Sequence, residues 1–152
     1  MENLQHDVEA LRQMPLFAAL PPARLKLIAY AAEALRFGPG EAIVREGDEA
    51  DAIYVLTDGQ AEVTLKTRDG RVVVLRTIEA GGLFGEIAVL AGSRRTATVA
   101  ARTTVTLLRI AEPLFRELLQ ENPQLATGVA ELLAQRLASE RRTLTGEPSS
   151  GP

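Results

Sequence analysis

Between residues 35 and 110 the apolar residues fall into short β-rich runs, each closed by turn residues: Gly38-Pro39-Gly40, Glu46-Gly47-Asp48, Asp58-Gly59, Asp69-Gly70 and Gly81-Gly82. Breaks this frequent leave no stretch for a long helix, and the cadence is that of a β-sandwich or barrel. One hairpin can be placed directly. Val63, Leu65 and Thr67 alternate with polar residues, Asp69-Gly70 supplies the turn, and Val72-Val73-Val74-Leu75 returns.

Outside this block the period is helical. Leu4, Val8 and Leu11 share one face of a helix over residues 2–12. Pro15 ends it, residues 16–20 form an apolar elbow, and Pro21-Pro22 opens a second helix expected to reach about Ala34, with Leu25, Ile28, Ala29 and Ala32 inward. Beyond Ile110, Glu112-Pro113 starts one helix and Pro123 another, which runs to about Arg142. On the last helix Leu125, Val129, Leu132, Leu133 and Leu137 make an apolar stripe that either packs on the barrel or serves a dimer. The reading divides the chain into an N-terminal helix (residues 1–14), one domain (15–143) and a compositionally disordered tail (144–152).

Composition removes several kinds of chemistry. The 152 residues include no cysteine and a single histidine, His6, so thiolate sites, disulfides and multi-histidine metal centres are not expected. A chain of this size buries roughly 70% of its unfolded surface in one core, enough to stand on packing alone. The net charge is −3, with basic residues dispersed among acidic ones, which argues against a nucleic-acid partner. With neither a secretory signal pattern nor a membrane-spanning apolar run in the sequence, a cytoplasmic setting without membrane contact is expected.

The densest chemistry lies in residues 83–99. Gly85 allows close backbone approach, the amides of Glu86, Ile87 and Ala88 open a short helix that attracts an anion, and Arg95 supplies a fork for a phosphodiester. The Glu86 carboxylate can only accept hydrogen bonds, which suits a sugar hydroxyl. Arg94 competes with Arg95 by adjacency, but on extended backbone the two side chains point apart.

Phe84-Gly85-Glu86-Ile87-Ala88, followed after several residues by Arg95-Thr96-Ala97, resembles the phosphate-binding cassette of the cyclic nucleotide-binding domain family. Residues 47–63, a glycine-bounded strand pair, resemble a second signature of that family, and the resemblance extends from about residue 15 to about 142. It implies a mainly β fold, a double-stranded β-helix or jelly roll, with N-terminal helices and a C-terminal lid helix. It also implies that Gly85 and Glu86 meet the ribose 2′-hydroxyl, that Arg95 meets the phosphate, and that Val63, Leu75 and Phe84 line the pocket. Thr96 sits where its hydroxyl can reach the phosphate or a guanine amino group. Arg136 resembles, in identity and spacing, a lid residue of the bacterial catabolite activator protein, whereas Glu140 stands where that relative has an adenine-reading threonine.

The function implied is a non-catalytic receptor for a cyclic purine nucleotide, with cAMP favoured over cGMP and no other cofactor. It signals by drawing cassette and final helix together and acts, as monomer or weak homodimer, on an effector protein. No helix-turn-helix segment follows the last helix in this sequence, so the signal is expected to leave through the domain itself. The competing readings are a protein-interaction module that has kept the fold without a ligand, and a metal-dependent enzyme on a related barrel, for which the ligand set is missing.

Overall fold

The computed structural model describes residues 2–145. The chain runs α1 (Glu2–Gln13), α2 (Pro15–Ala18), α3 (Pro22–Ala31), β1 (Glu33–Phe37), β2 (Ala42–Val44), β3 (Ala52–Asp58), β4 (Ala61–Lys66), β5 (Val72–Ile78), β6 (Leu83–Phe84), α4 (Glu86–Ala91), β7 (Thr98–Ala101), β8 (Val105–Ala111), α5 (Glu112–Glu121) and α6 (Pro123–Thr145). The strands form two four-stranded antiparallel sheets, ordered β1-β8-β3-β6 and β2-β7-β4-β5. This is the jelly roll with flanking helices that the resemblance implies.

Two cores hold it together. Tyr54, Leu56, Phe84 and Leu107 of the first sheet meet Val44, Val63, Ile78 and Val99 of the second, while the opposite face of the first sheet, through Ile53, Val55, Leu108 and Ile110, packs on Leu11, Phe17, Ile28, Phe115 and Leu125 of the helices. Strand β3 is therefore buried on both faces, from Ala52 through Thr57. Burial of this kind, at about 25 cal/mol per Å2 of apolar surface, is the main stabilising term.

Local boundaries depart from the sequence reading in four places. The α3 helix stops at Ala31 rather than Ala34, because Glu33–Phe37 pairs antiparallel with β8; Ala32 is the half-buried C-cap and Ala34 an exposed strand residue. Tertiary pairing there overrides helix propensity. Residues 16–20 are not all elbow: Pro15–Ala18 closes one helical turn that drives Phe17 into the helical core. The β4–β5 hairpin forms around Asp69-Gly70, but Thr67 leaves the strand, and its hydroxyl donates to Asp69 and accepts from the Arg71 amide. Finally, α6 continues past Arg142 to Thr145, so Leu144 and Thr145 are helical, and the rest of the expected tail, 146–152, lies outside the described residues.

At the N-terminus α1 packs Val8 and Leu11 fully and Leu4 partly, as its periodicity requires. His6 is exposed and lies 3.4 Å from the Asp58 carboxylate at the end of β3. Beside them Asp7 is half-buried, and its carboxyl is held above the ordinary aspartate range, chiefly by burial; His6 opposes the shift and Asp58 adds to it. Ionised Asp7 is thus a liability in the folded state. Asp7→Asn should raise the melting temperature at pH 7. Because the folded pKa lies above the unfolded one, that gain should shrink as pH falls and the parent carboxyl takes up its proton in the folded state. Melting curves at pH 7 and pH 4 check it.

Candidate functional site

Gly85 ends β6 in the left-handed region, at φ +89°, and serves as N-cap of α4. A Cβ at Gly85 would lie 2.7 Å from Arg95 Nη1, so the glycine is required both by the turn and by the guanidinium behind it. Arg95 is 4% exposed. Its Nη1 donates to the Gly85 carbonyl at 2.9 Å and its Nη2 to the Ala52 carbonyl at 2.7 Å. The guanidinium carbon stands 5.6 Å from the centroid of the Tyr54 ring, which in turn stacks on Phe84 at 5.1 Å. A cation over an aromatic face in a desolvated setting is a favourable pair.

The backbone around Arg95 is pinned as firmly as the side chain. The Gly47 amide donates to the Arg95 carbonyl at 2.9 Å, and the Arg95 amide to the Asp48 carbonyl at 2.8 Å. The turn at residues 46–48 thus fixes the strand leading into β7, which is why the two motifs belong together. Arg94 points the other way: it is exposed and donates to the Gly47 carbonyl.

Glu86, at the first position of α4, is 1% exposed. Its Oε1 accepts from Nη1 of Arg136, which reaches over from α6 and is itself 12% exposed. Two polar atoms in this setting, Glu86 Oε2 and Arg95 Nε, are buried without a hydrogen-bond partner among the described residues. An acceptor and a donor left unmatched in a dry place each cost free energy that a suitable ligand would recover.

Between them lies a cavity of about 50 Å3, lined by Phe84, Gly85, Glu86, Ile87, Ala88, Arg95, Thr96 and Ala97, with Val44, Val63, Val99 and Arg76 as its sheet side. Nine of the eleven residues expected from sequence line this cavity, Thr96 at its exposed mouth. Arg136 is linked to it through Glu86. Leu75 is the correction: it is buried in the inter-sheet core and does not line the cavity. The β4–β5 register moves from Val63↔Arg76 to Thr64↔Val74, which makes Leu75 the extra residue of a bulge and turns Arg76 inward in its place. Val44, Val99 and Arg76 were missed by sequence reasoning, because only strand pairing brings them here. The side chain of Glu140 lies outside the described residues.

Two larger cavities, of about 530 and 360 Å3, flank α2 and α6. The larger is lined by residues 15–16, 19–21, 121–125 and Gly128, and the other by residues 14–16, 81–83 and the α6 residues Gly128, Glu131, Leu132, Gln135 and Arg136. Neither contains a buried unpartnered polar atom, so the smaller chamber carries the chemistry. Among the described residues no group of three or more His, Cys, Asp or Glu is placed to hold a metal, and no helix is long and apolar enough to cross a membrane.

The sequence profile of the cyclic nucleotide-binding domain matches residues 34–122, the stretch from β1 to the end of α5. The chain belongs to the cyclic nucleotide-binding domain family. Among curated relatives, this domain is 34% identical over 133 residues to lysophospholipase nte1 of Aspergillus oryzae, covering 88% of this chain and 9% of the relative. It is 35% identical over 109 residues to a cAMP-dependent protein kinase regulatory subunit of Emericella nidulans, covering 72% of this chain and 26% of that one. It therefore spans about a tenth and about a quarter of these proteins. The sensor domain of the transcriptional regulator DNR from Pseudomonas aeruginosa shares the fold, with a TM-score of 0.80 at 23% identity, over all of this chain and 99% of that one.

Proposed function

We propose that this domain is a non-catalytic receptor for a cyclic purine nucleotide, which it binds through Gly85, Glu86, Arg95 and the amides of Ile87 and Ala88. One observation carries the reading: a buried carboxylate and a buried guanidinium face one chamber, each with a polar atom unmatched. Glu86 Oε2 accepts the donor that a ribose hydroxyl offers, and Arg95 Nε donates to a phosphate oxygen. The cassette resemblance and the kinase regulatory subunit, cAMP-dependent by its name, support the same ligand class.

At about 50 Å3 the chamber has room for one or two waters, so binding requires the wall to move. The contact that gives is that of Arg136, which lies behind the wall rather than in it. It holds Glu86 from α6, and a nucleotide engaging Oε2 of the same carboxylate shifts the balance between open and capped arrangements of α6. The signal passes to an effector protein in a cytoplasmic setting. The α6 stripe is consumed largely by packing: Leu125 and Val129 are buried and Leu132 and Leu133 partly so, while Leu137 is 54% exposed. A monomer or weak homodimer fits that distribution.

A second reading has an observation of its own. Both Nη atoms of Arg95 already have carbonyl partners and Glu86 already has Arg136, as in a fold kept for protein interaction without a ligand. Titration calorimetry of nucleotide-stripped protein with cAMP, cGMP and 5′-AMP separates the two. One cyclic nucleotide should bind tightly and 5′-AMP weakly, and ligand at a hundred times its Kd should stabilise the fold by about 2.7 kcal/mol. Heat-silent titrations with unchanged melting curves would leave the interaction module.

A further inference from the structure

We infer that the free edge of β5 is a docking site for an extended, acidic segment of a partner protein, which joins the second sheet as a fifth strand. The inference goes beyond the receptor reading and needs no ligand in the chamber. β5 ends its sheet, so one side of its backbone pairs with no strand. Which residues turn that way follows from the hairpin. The Arg71 carbonyl accepts from the Thr67 amide at 2.8 Å, so Arg71 turns its backbone groups toward β4, and along an antiparallel strand this direction alternates. Val73 therefore turns toward β4 as well, while Val72 and Val74 direct N–H and C=O to the open edge. The same two residues expose their side chains, at 67% and 49%. Open backbone groups and bare apolar side chains on one pair of residues make a template for another strand, which natural edges blunt with prolines, bulges or very short strands. β5 is seven residues long, residues 72–74 contain no proline, and the bulge begins only beyond Val74.

Charge decides the occupant. Residues 66–74 carry Lys66, Arg68 and Arg71 against Asp69 alone, in a chain whose net charge is −3. Arg71 pairs with Asp69 at 2.9 Å, whereas Lys66 and Arg68 are exposed and have no ion-pair partner among the described residues. Lys66 stands opposite Val72, so it shares the exposed face with the two valines. A second copy would bring the same cations to the same edge, and like charges on paired strands are destabilising. A lipid surface would meet the cations but leave the backbone groups of Val72 and Val74 unmatched. The occupant is thus a strand with β-branched residues opposite Val72 and Val74 and acidic residues beyond them, toward Lys66 and Arg68. Main-chain hydrogen bonds then supply affinity, and the side chains supply choice of partner.

The test is fluorescence anisotropy of the full chain against a labelled peptide, Glu-Glu-Val-Thr-Val-Glu-Glu, and its counterpart with lysine for each glutamate. The acidic peptide should bind, and the lysine peptide at least about tenfold more weakly. Val74→Pro removes an edge N–H and no bond to β4, a change that an edge strand tolerates, and should weaken the acidic peptide by about tenfold. Lys66→Glu combined with Arg68→Glu alters only exposed side chains and should weaken it as much. Melting curves establish that the variants are folded, and the charge variant carries the test if the proline variant is not. Failure of the folded parent to bind the acidic peptide overturns the inference, as does equal binding of both peptides. Unchanged binding in either folded variant overturns it too. A dimer in sedimentation that Val74→Pro dissociates would give the edge to a second copy, and binding of phosphatidylserine vesicles without the peptide would give it to lipid; each overturns the inference. All of these outcomes leave the nucleotide site untouched.

Discussion

Arg95→Ala should weaken cyclic-nucleotide binding by at least tenfold and lower the melting temperature in the same variant. The first effect follows from removing the partner of an anion in a desolvated site, a loss of about 2–5 kcal/mol. The second follows from what Arg95 does within the protein. Its Nη atoms serve the carbonyls of Gly85 and Ala52, neighbours where β6 runs beside β3, and its guanidinium covers Tyr54. Truncation leaves both carbonyls without that donor and opens space beside a buried ring, at a cost of roughly 2 kcal/mol or more. Calorimetric titration and thermal melting of the one variant read the two losses separately. Unaltered affinity would show that the ligand site lies elsewhere, and an unaltered melting temperature would show that the carbonyl ties contribute nothing.

Gly59→Ala should destabilise the fold by roughly 3 kcal/mol or more, a fall of about 6–12 °C in melting temperature. Gly59 turns β3 into β4 at φ +91°, and an added Cβ would sit 2.2 Å from the Thr104 carbonyl oxygen and 3.0 Å from the Val105 Cα. Neither obstacle is the end of a flexible side chain. The two turns are also locked together, since the Gln60 amide donates to Thr103 Oγ1 and the Arg102 amide to the Gln60 carbonyl. Gly70 is the internal control. It has nearly the same φ, +87°, with nothing within 4 Å of its added Cβ, so Gly70→Ala should cost only the left-handed penalty of about 1–2 kcal/mol. Similar losses in the two variants would show that the contact at Thr104 is relieved by backbone shift.

Much of the site was legible because its chemistry is contiguous. Gly85, Glu86, Arg95, Thr96 and Ala97 lie within thirteen positions of one another, and a short segment carries its own geometry. The strand cadence was legible for the same reason: each turn is announced by its own residues. What sequence did not reveal depends on distant partners. The end of α3 was misplaced because nothing in residues 32–34 shows that β8 waits to pair with them. Leu75 and Arg76 exchanged roles because a bulge is a property of two strands in register, and alternation read along one strand cannot detect it. Arg95 could be read as an anion binder, but its ties to Gly85 and Ala52 required knowing that β3 runs alongside.

Strand β3 gives the domain a division of labour in sequence space. Its alternate residues belong to different cores, Tyr54 and Leu56 to the one that holds the chamber, Ile53 and Val55 to the one that seats the helices. Substitutions that retune ligand choice draw on residues of the first set, and those that change how the helices meet a partner draw on the second. The helical layer can therefore diversify while the chamber stays fixed, except at Arg136, through which α6 holds Glu86. The elements that answer to both are the central strands of the first sheet and the short stretch from Phe84 to Val89, whose members sit on both sides of the wall.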